Sequence, residues 1–452
     1  MSGRVCIALF LLLASISVCL PQASSDRPSG PPLLYAVAPE FEPLAWIQGG
    51  ERFPRGATLH VEKNAISKPL LPKFFSSADA SVSFDGKRVL FAGKQRTSDH
   101  WQVWEMVMPA GAPRQVTDCD DDCVRPIYLP ADHLVYARKV KGAFALHIAS
   151  LSAATERPLQ ITHTRGNFLP ADVLRDGRIL FGAAQPLGEG DVPELYTVYT
   201  DGSGIESYRC DHGHARYAGR QISSGDIVFS RGGSLYRFTS AVAHEVAVPS
   251  PAGIYAGDVL EMVDGSWLAS SHAPGERFFA LRRWNPASNN SRAQAAKTGV
   301  NVVQPVLLAA HPVPNRHPSG LHEWTYANLL CLNAYTSKYK ITDGAIASVR
   351  LYTQDRLGAA RLLGSSTVEK DGSFYLRVPG DQPLKIELLD TAGATLQKEL
   401  GWFWVRSGEQ RICVGCHTGP ETAPENIVPA VLLRSTVAAD LTAASTSSPG
   451  EH

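Results

Sequence analysis

The chain has 452 residues, with 43 lysines and arginines against 43 aspartates and glutamates, so its formal charge is zero. That balance excludes a nucleic-acid binder or a polybasic membrane-surface protein, because both draw affinity from an excess of positive charge. Apolar residues at 44% suffice for sizeable cores, and 38 glycines with 31 prolines against only 19% charged residues indicate a turn-rich chain.

At the start, Arg4 supplies a positive charge and Val5 to Leu20 form an almost unbroken apolar run. Small residues follow at Ala23, Ser24 and Ser25, before Asp26. This is the pattern of a secretory signal peptide over 1–25, with an apolar run too short for a comfortable membrane span. An uncleaved anchor is the rival reading. Lipidation through Cys19 is disfavoured, since Val18 stands where a small residue is wanted. The mature chain is then expected to be periplasmic or otherwise exported, with no transmembrane segment, and to keep Cys119, Cys123, Cys210, Cys331, Cys413 and Cys416.

A phrase of strand, tight turn and strand recurs from about 75 to 285. It reads Ser81 to Phe91 around Asp85-Gly86, then Ile127 to Tyr136 around Asp132, Asp172 to Phe181 around Asp176-Gly177, Gln221 to Phe229 around Gly225, and Glu261 to Leu268 around Asp264-Gly265. The Asp-Gly pairs suit turns with positive φ, and β-branched and aromatic residues flank them. The anchors at 86, 132, 177, 225 and 265 lie 46, 45, 48 and 40 residues apart. A four-stranded unit at that period predicts a β-propeller blade, whose faces are buried only by stacking around a ring. Residues 31–310 would hold six units, the first of them irregular around Leu33–Phe75; a β-sandwich with coincidental turns is the alternative. These repeats resemble the TolB-like propellers.

Within this region Cys119-Asp-Asp-Asp-Cys123 is either a metal site or a local disulfide, and export to an oxidising compartment favours the disulfide. The cluster Cys210-Asp211-His212-Gly213-His214 offers ligand atoms, though solvated loop histidines are common.

Residues 311–322 are rich in proline and histidine and read as a linker. Strand-like runs resume at Leu329–Leu332, Ala345–Tyr352, Ser373–Val378 and Leu384–Leu389, separated by turn signals, which predicts a small antiparallel β-sandwich over 323–400. A haem-binding segment over 401–434 follows, then a Ser/Thr/Ala-rich tail over 435–452 expected to be disordered.

The haem assignment rests on Cys413-Val414-Gly415-Cys416-His417. Two thiols three apart add across the vinyl groups of one haem, and the next residue places its imidazole under the iron. From the chain's own Cys and His frequencies, chance yields roughly 0.004 such patterns. A zinc ribbon would need a second cysteine pair nearby, and a redox dithiol would want a thioredoxin-like βαβ context. Trp402, Phe403, Trp404 and Val405 before the motif, with Ile427, Val428, Val431 and Leu432 after it, are candidates for an apolar haem wall or for ordinary core.

Propeller, sandwich and then GWFWVRSGEQRICVGCHTGPETAPENIVP together resemble the hydrazine synthase alpha-subunit family, especially its propeller and haem-bearing middle domain. The resemblance implies a propeller docked against a covalent haem c domain. It does not carry over hydrazine synthesis, because that enzyme class has a second, C-terminal haem domain and this sequence has one Cys-x-x-Cys-His. The family's middle-domain haem takes a tyrosine shortly after the motif as iron ligand; here Thr418-Gly-Pro-Glu421-Thr-Ala has none, which favours His417.

For the sixth iron position, residues 320–452 contain no methionine, and their histidines besides His417 are His322 and His452. The second ligand is then His322, a side chain such as His317, His212 or Met106, or nothing. A protein ligand favours electron transfer and an open site permits small-ligand chemistry. The reading is an exported mono-haem c-type cytochrome that uses its propeller to dock a periplasmic redox partner. Its rivals are a haem enzyme acting on a small nitrogen or oxygen compound, and an interaction protein with a structural haem.

Overall fold

The computed structural model describes residues 30–152, 157–186, 191–209, 213–288, 290–337, 340–355, 358–415 and 427–442. The expected signal peptide, 1–25, lies outside them. Regular structure is almost entirely β; the one helix among the described residues is the five-residue Ala430–Arg434, and no helix is long and apolar enough to cross a membrane.

Between 33 and 307 the described residues form six sheets in succession. Ser76–Val82, Arg88–Lys94, Gln102–Val107 and Arg114–Gln115 form an antiparallel meander, and the same order restarts at Cys123, Asn167 and Arg216. The anchor residues Gly86, Asp132, Gly177, Gly225 and Gly265 all have positive φ, as the repeated turn requires. Each sheet's inner strand packs on the next sheet, from Ser76–Val82 to Cys123–Leu129, Asn167–Val173 and Arg216–Gln221. The irregular first unit has a simple cause. Its three strands, Leu33–Ala38, Thr58–Lys63 and Ile66–Pro69, are completed by Asn301–Leu307 from the far end of the region, paired antiparallel with Leu33–Ala38. That strand also touches Ser76–Val82, so the ring closes and every sheet covers its neighbour's apolar face.

The inner strands share a second repeat that the turn signals did not reveal. Asp79, Arg125, Ala218, Asp258 and Gln304 have φ between 37° and 58°, and Ala171 stands at the matching place in the remaining sheet. Ladder registers slip beside Asp79, Arg125, Ala171, Ala218 and Gln304, the mark of a β-bulge that re-aims one side chain. The re-aimed side chains meet on the ring axis. Asp79, 5% exposed, lies 3.6 Å from Arg125 and 3.6 Å from Arg52, and it accepts from the Gln304 amide. Arg125 also reaches Asp258 at 3.5 Å. Burial, reinforced by Arg125, pushes the Arg52 guanidinium down to about 10.

Residues 311–322 carry no strand or helix, as their prolines imply, but they are not a loose tether. His311 donates its backbone N–H to Phe84 O and its ring Nε2 to Val82 O, the Asn315 N–H donates to Arg175 O, and the His317 ring stacks on Tyr199 at 3.9 Å. The strap thus crosses the mouth of the ring from the second sheet to the fourth. A Cβ on Gly86 would sit 2.6 Å from Ala310 N, and one on Gly177 would strike the Asn315 carbonyl. These two turns therefore need glycine for close approach as well as for φ.

The second unit is a sandwich of two four-stranded sheets. One contains Ala360–Thr367, Ser348–Gln354, Leu384–Leu389 and Thr395–Lys398; the other contains Gln410–Cys413, Tyr326–Cys331, Phe374–Pro379 and Ala439–Asp440. Leu329, Val349, Leu351, Leu376 and Leu384 fill the space between them. Two expected boundaries need correction. The sandwich does not stop at 400, because the segment 401–434, expected to bind haem, supplies its edge strand Gln410–Cys413. Nor are residues 435–442 a disordered tail, because Ala439–Asp440 pairs with Leu376–Arg377 and Leu441 is buried. A Ser/Thr/Ala-rich stretch can pair when a buried strand offers it a ladder, since backbone groups make that bond whatever the side chain.

Replacing Asp79 with alanine removes the ion-pair partner of the buried Arg52 guanidinium and leaves Arg125 with Asp258 alone, so Asp79→Ala is expected to cost about 3–5 kcal/mol of folding stability by urea denaturation. A loss below about 1 kcal/mol would show that the axial charges are solvated.

Candidate functional site

The motif starts where the strand Gln410–Cys413 ends. This strand runs parallel to Tyr326–Cys331 with Cys331 and Cys413 as register partners, and the Leu332 N–H donates to Cys413 O. Cys413 is half-buried against the sandwich core, and that burial pushes its thiol pKa up, with Arg411 opposing. Beyond it the chain presses on the loop 333–336, where a Cβ on Gly415 would strike the Thr336 carbonyl. Glycine at this motif position is set by that contact. Cys416 and His417 lie outside the described residues, as do Cys210 and His212.

From Ile427 onward the chain is tied to the same scaffold. The Ala430 N–H donates to Asp371 Oδ2 at 2.7 Å and the Val431 N–H to Ser373 Oγ at 3.0 Å, while Arg434 pairs with Glu369. Both ends of the motif segment therefore rest on one platform, made by the loop 333–336 and the turn 371–373. Ile412, Ile427 and Val428 flank it with exposures of 61%, 62% and 61%.

The aromatic run before the motif is placed otherwise than as a haem wall. Trp404 is fully buried in the propeller, edge-on to Phe168 and His163, with its indole N–H donating to Gly202 O. Val405 lies in the sandwich core, Phe403 packs against that core, and Trp402 lies under Lys385. Alternation along an extended segment sends neighbours to opposite faces, so such a run serves two cores.

Charged residues lock the same seam. Arg406 donates to Asp201 O and pairs with Asp381 at 2.6 Å, Arg411 donates to Ile205 O, and Glu409 Oε1 accepts from the Gly204 N–H. His163 of the propeller lies 3.6 Å from Asp381, and burial drives its pKa down. Sequence reading missed Arg406, Glu409 and His163, because the partners are more than 200 residues apart and share no periodicity.

Among the described residues, the candidates for a second iron ligand are engaged elsewhere. His322 stacks on Trp324 at 4.2 Å and meets the Gln410 amide, at the far end of the strand from Cys413. His317 stacks on Tyr199, and Met106 is buried in the propeller core. Cys119 and Cys123 are joined in a disulfide. Beside it His100, Asp121 and Asp122 stand together on the surface.

A family model of the hydrazine synthase alpha subunit middle domain matches residues 333–418. Over 93 residues the chain is 38% identical to hydrazine synthase subunit alpha of Kuenenia stuttgartiensis, which is 20% of this chain and 12% of that protein. Hydrazine synthase of Kuenenia stuttgartiensis, as a solved structure, aligns with 90% of this chain and 72% of its own at a TM-score of 0.78 and 18% identity. TolB from Acinetobacter baumannii aligns with 61% of this chain and 66% of its own at 14% identity and a TM-score of 0.43. The first structure shares the fold from the propeller through the sandwich, and the match at 333–418 falls on the platform, the seam and the motif.

Two outcomes are expected. Trp404→Ala should remove about 3–5 kcal/mol, the usual cost of emptying a buried tryptophan site, and should split urea unfolding into two transitions as the units uncouple. A single unshifted transition would count against the peg. Burial also lowers the pKa of His60, with Lys297 adding to it, and of His147, in each case to about 4 from 6.5, as it does for His163. Between these pH values the unfolded chain binds protons that the folded chain refuses, so stability is full above 6.5 and declines as pH falls towards 4. Urea midpoints measured at about pH 7.5 and about pH 5 should drop accordingly, and less steeply in His147→Gln.

Proposed function

We propose, from the match of residues 333–418 to the hydrazine synthase alpha middle domain and the shared fold, that this chain is an exported c-type cytochrome carrying one covalent haem on its sandwich. The observation that carries the proposal is the platform: a Cys-x-x-Cys-His segment anchored at both ends, with Ile412, Ile427 and Val428 uncovered around it. Apolar side chains left in water on both sides of such a motif suit a large flat apolar group.

In this reading the Cys413 and Cys416 thiols form the thioether links, and His417 supplies the iron ligand that no nearby tyrosine replaces. When bound, haem c supplies one-electron transfer. The protein's own contribution is positional. Gly415 lets the motif lie against Thr336, the strand Gln410–Cys413 fixes the first attachment point, and Trp404 with Arg406 sets the sandwich rigidly on the propeller. The propeller then offers a broad docking face to a periplasmic redox partner. With the chain's net charge at zero, that docking depends on local patches.

A second reading has the iron's sixth position open to a small nitrogen or oxygen compound, and the engagement of His322, His317 and Met106 elsewhere favours it.

Protein produced in a host competent for cytochrome c maturation should keep a haem-staining pigment after denaturation, and Cys413→Ala with Cys416→Ala should abolish it. No covalent pigment in the wild type would refute the proposal. A ferrous spectrum unchanged by carbon monoxide supports electron transfer, and a carbon monoxide adduct supports the open site.

A further inference from the structure

Below the axial charges, on the side crossed by the strap, the ring encloses a cavity of about 440 Å³. That volume falls in the range of small-molecule sites. Its floor is the Asp79–Arg125–Asp258 array with Gln304, and its roof is the strap from Ala309 to Pro314. Between them the inner strands contribute an apolar belt that includes Ile127, Val173, Leu260 and Val306.

One charged group on this wall is different from the rest. Arg125 is held by Asp79 and Asp258, Arg175 donates to the carbonyls of Ile222 and Ser223, and Glu261 accepts from Ser223. Asp172 accepts the N–H groups of Gln221 and Val173. Arg220, half-buried and two residues beyond the bulge at Ala218, has no hydrogen bond or ion pair among the described residues. Asp172 attracts it along the wall without a direct contact, so its five donors remain open to an acceptor that enters the cavity.

We propose that this axial cavity binds a monoanionic carboxylic acid with an apolar body, its carboxylate on Arg220 and its body on Ile127, Val173, Leu260 and Val306. The apolar belt rewards burial of the body, and the planar fork of Arg220 suits a carboxylate better than a hydroxyl or an amide. Asp172 does not forbid this: burial pushes its carboxyl upward, with Arg220 opposing, and its oxygens are turned to the backbone donors of Gln221 and Val173 rather than to the guanidinium. The site is independent of the haem motif, which lies on the other unit.

Octanoate and its neutral isostere octanamide are the probes, titrated calorimetrically into the full-length folded protein. Wild type should bind octanoate with a submillimolar Kd and octanamide at least about tenfold more weakly, the difference one charge-assisted bidentate contact makes. Arg220→Gln should reduce octanoate binding to the octanamide level, and Arg220→Lys should restore part of it. No heat from octanoate up to about 10 mM overturns the proposal. Equal affinity for the two probes in wild type does so as well, a comparison that needs no variant to fold.

Discussion

The interaction on which the propeller turns is the desolvated carboxylate of Asp79, shared between Arg52 and Arg125 on the ring axis. Each inner strand spends one residue on a bulge to aim a side chain inward, and the six aimed positions would crowd one another if all were charged alike. They are Asp79, Arg125, Ala171, Ala218, Asp258 and Gln304, so small residues take one side while opposite charges meet across the other. With Arg52 added from the loop before the second strand, two positive and two negative groups balance and leave the axis without net charge. This balance lets six sheets with different sequences share one centre, and it divides the cavity under the strap from the packed plug around Trp46 and Phe53.

The same economy appears at the seam. Eight residues, Trp404 to Arg411, hold the sandwich to the fourth sheet and run into the strand that presents Cys413. Cys413, the proposed first attachment point, is therefore at the end of a rigid element rather than on a tether, and its position relative to the propeller is set by an indole and two guanidinium groups. A functional group mounted this way keeps a constant distance from any partner that the propeller holds.

Much of this architecture was legible in the sequence because turns are local. Asp85-Gly86 or Asp264-Gly265 needs positive φ regardless of what surrounds it, so the period of the repeat could be read directly. The Cys-x-x-Cys-His pattern could be singled out for the same reason, since it is contained in five consecutive residues. The partner of Leu33–Ala38 was not legible, because a strand contributed from 301–307 carries no mark of where it pairs. The axial residues left a faint signal: Asp79, Arg125 and Asp258 each stand seven positions before a turn anchor, but an isolated acid or arginine in a strand does not announce a bulge. Trp402 to Val405 was ambiguous in principle. An aromatic run records that burial occurs, and only the fold decides in which core.

The closing strand also imposes an order in time. Synthesis proceeds from the N-terminus, so Leu33–Ala38 waits with one edge unpaired until residues 301–307 have been made, roughly 260 residues later. Throughout that interval a hydrophobic strand, Leu-Leu-Tyr-Ala-Val-Ala, presents open backbone donors and acceptors to any other extended chain. The nascent protein is thus most exposed to aggregation just before completion of the ring, and a chaperone that masks one short edge would protect the whole assembly.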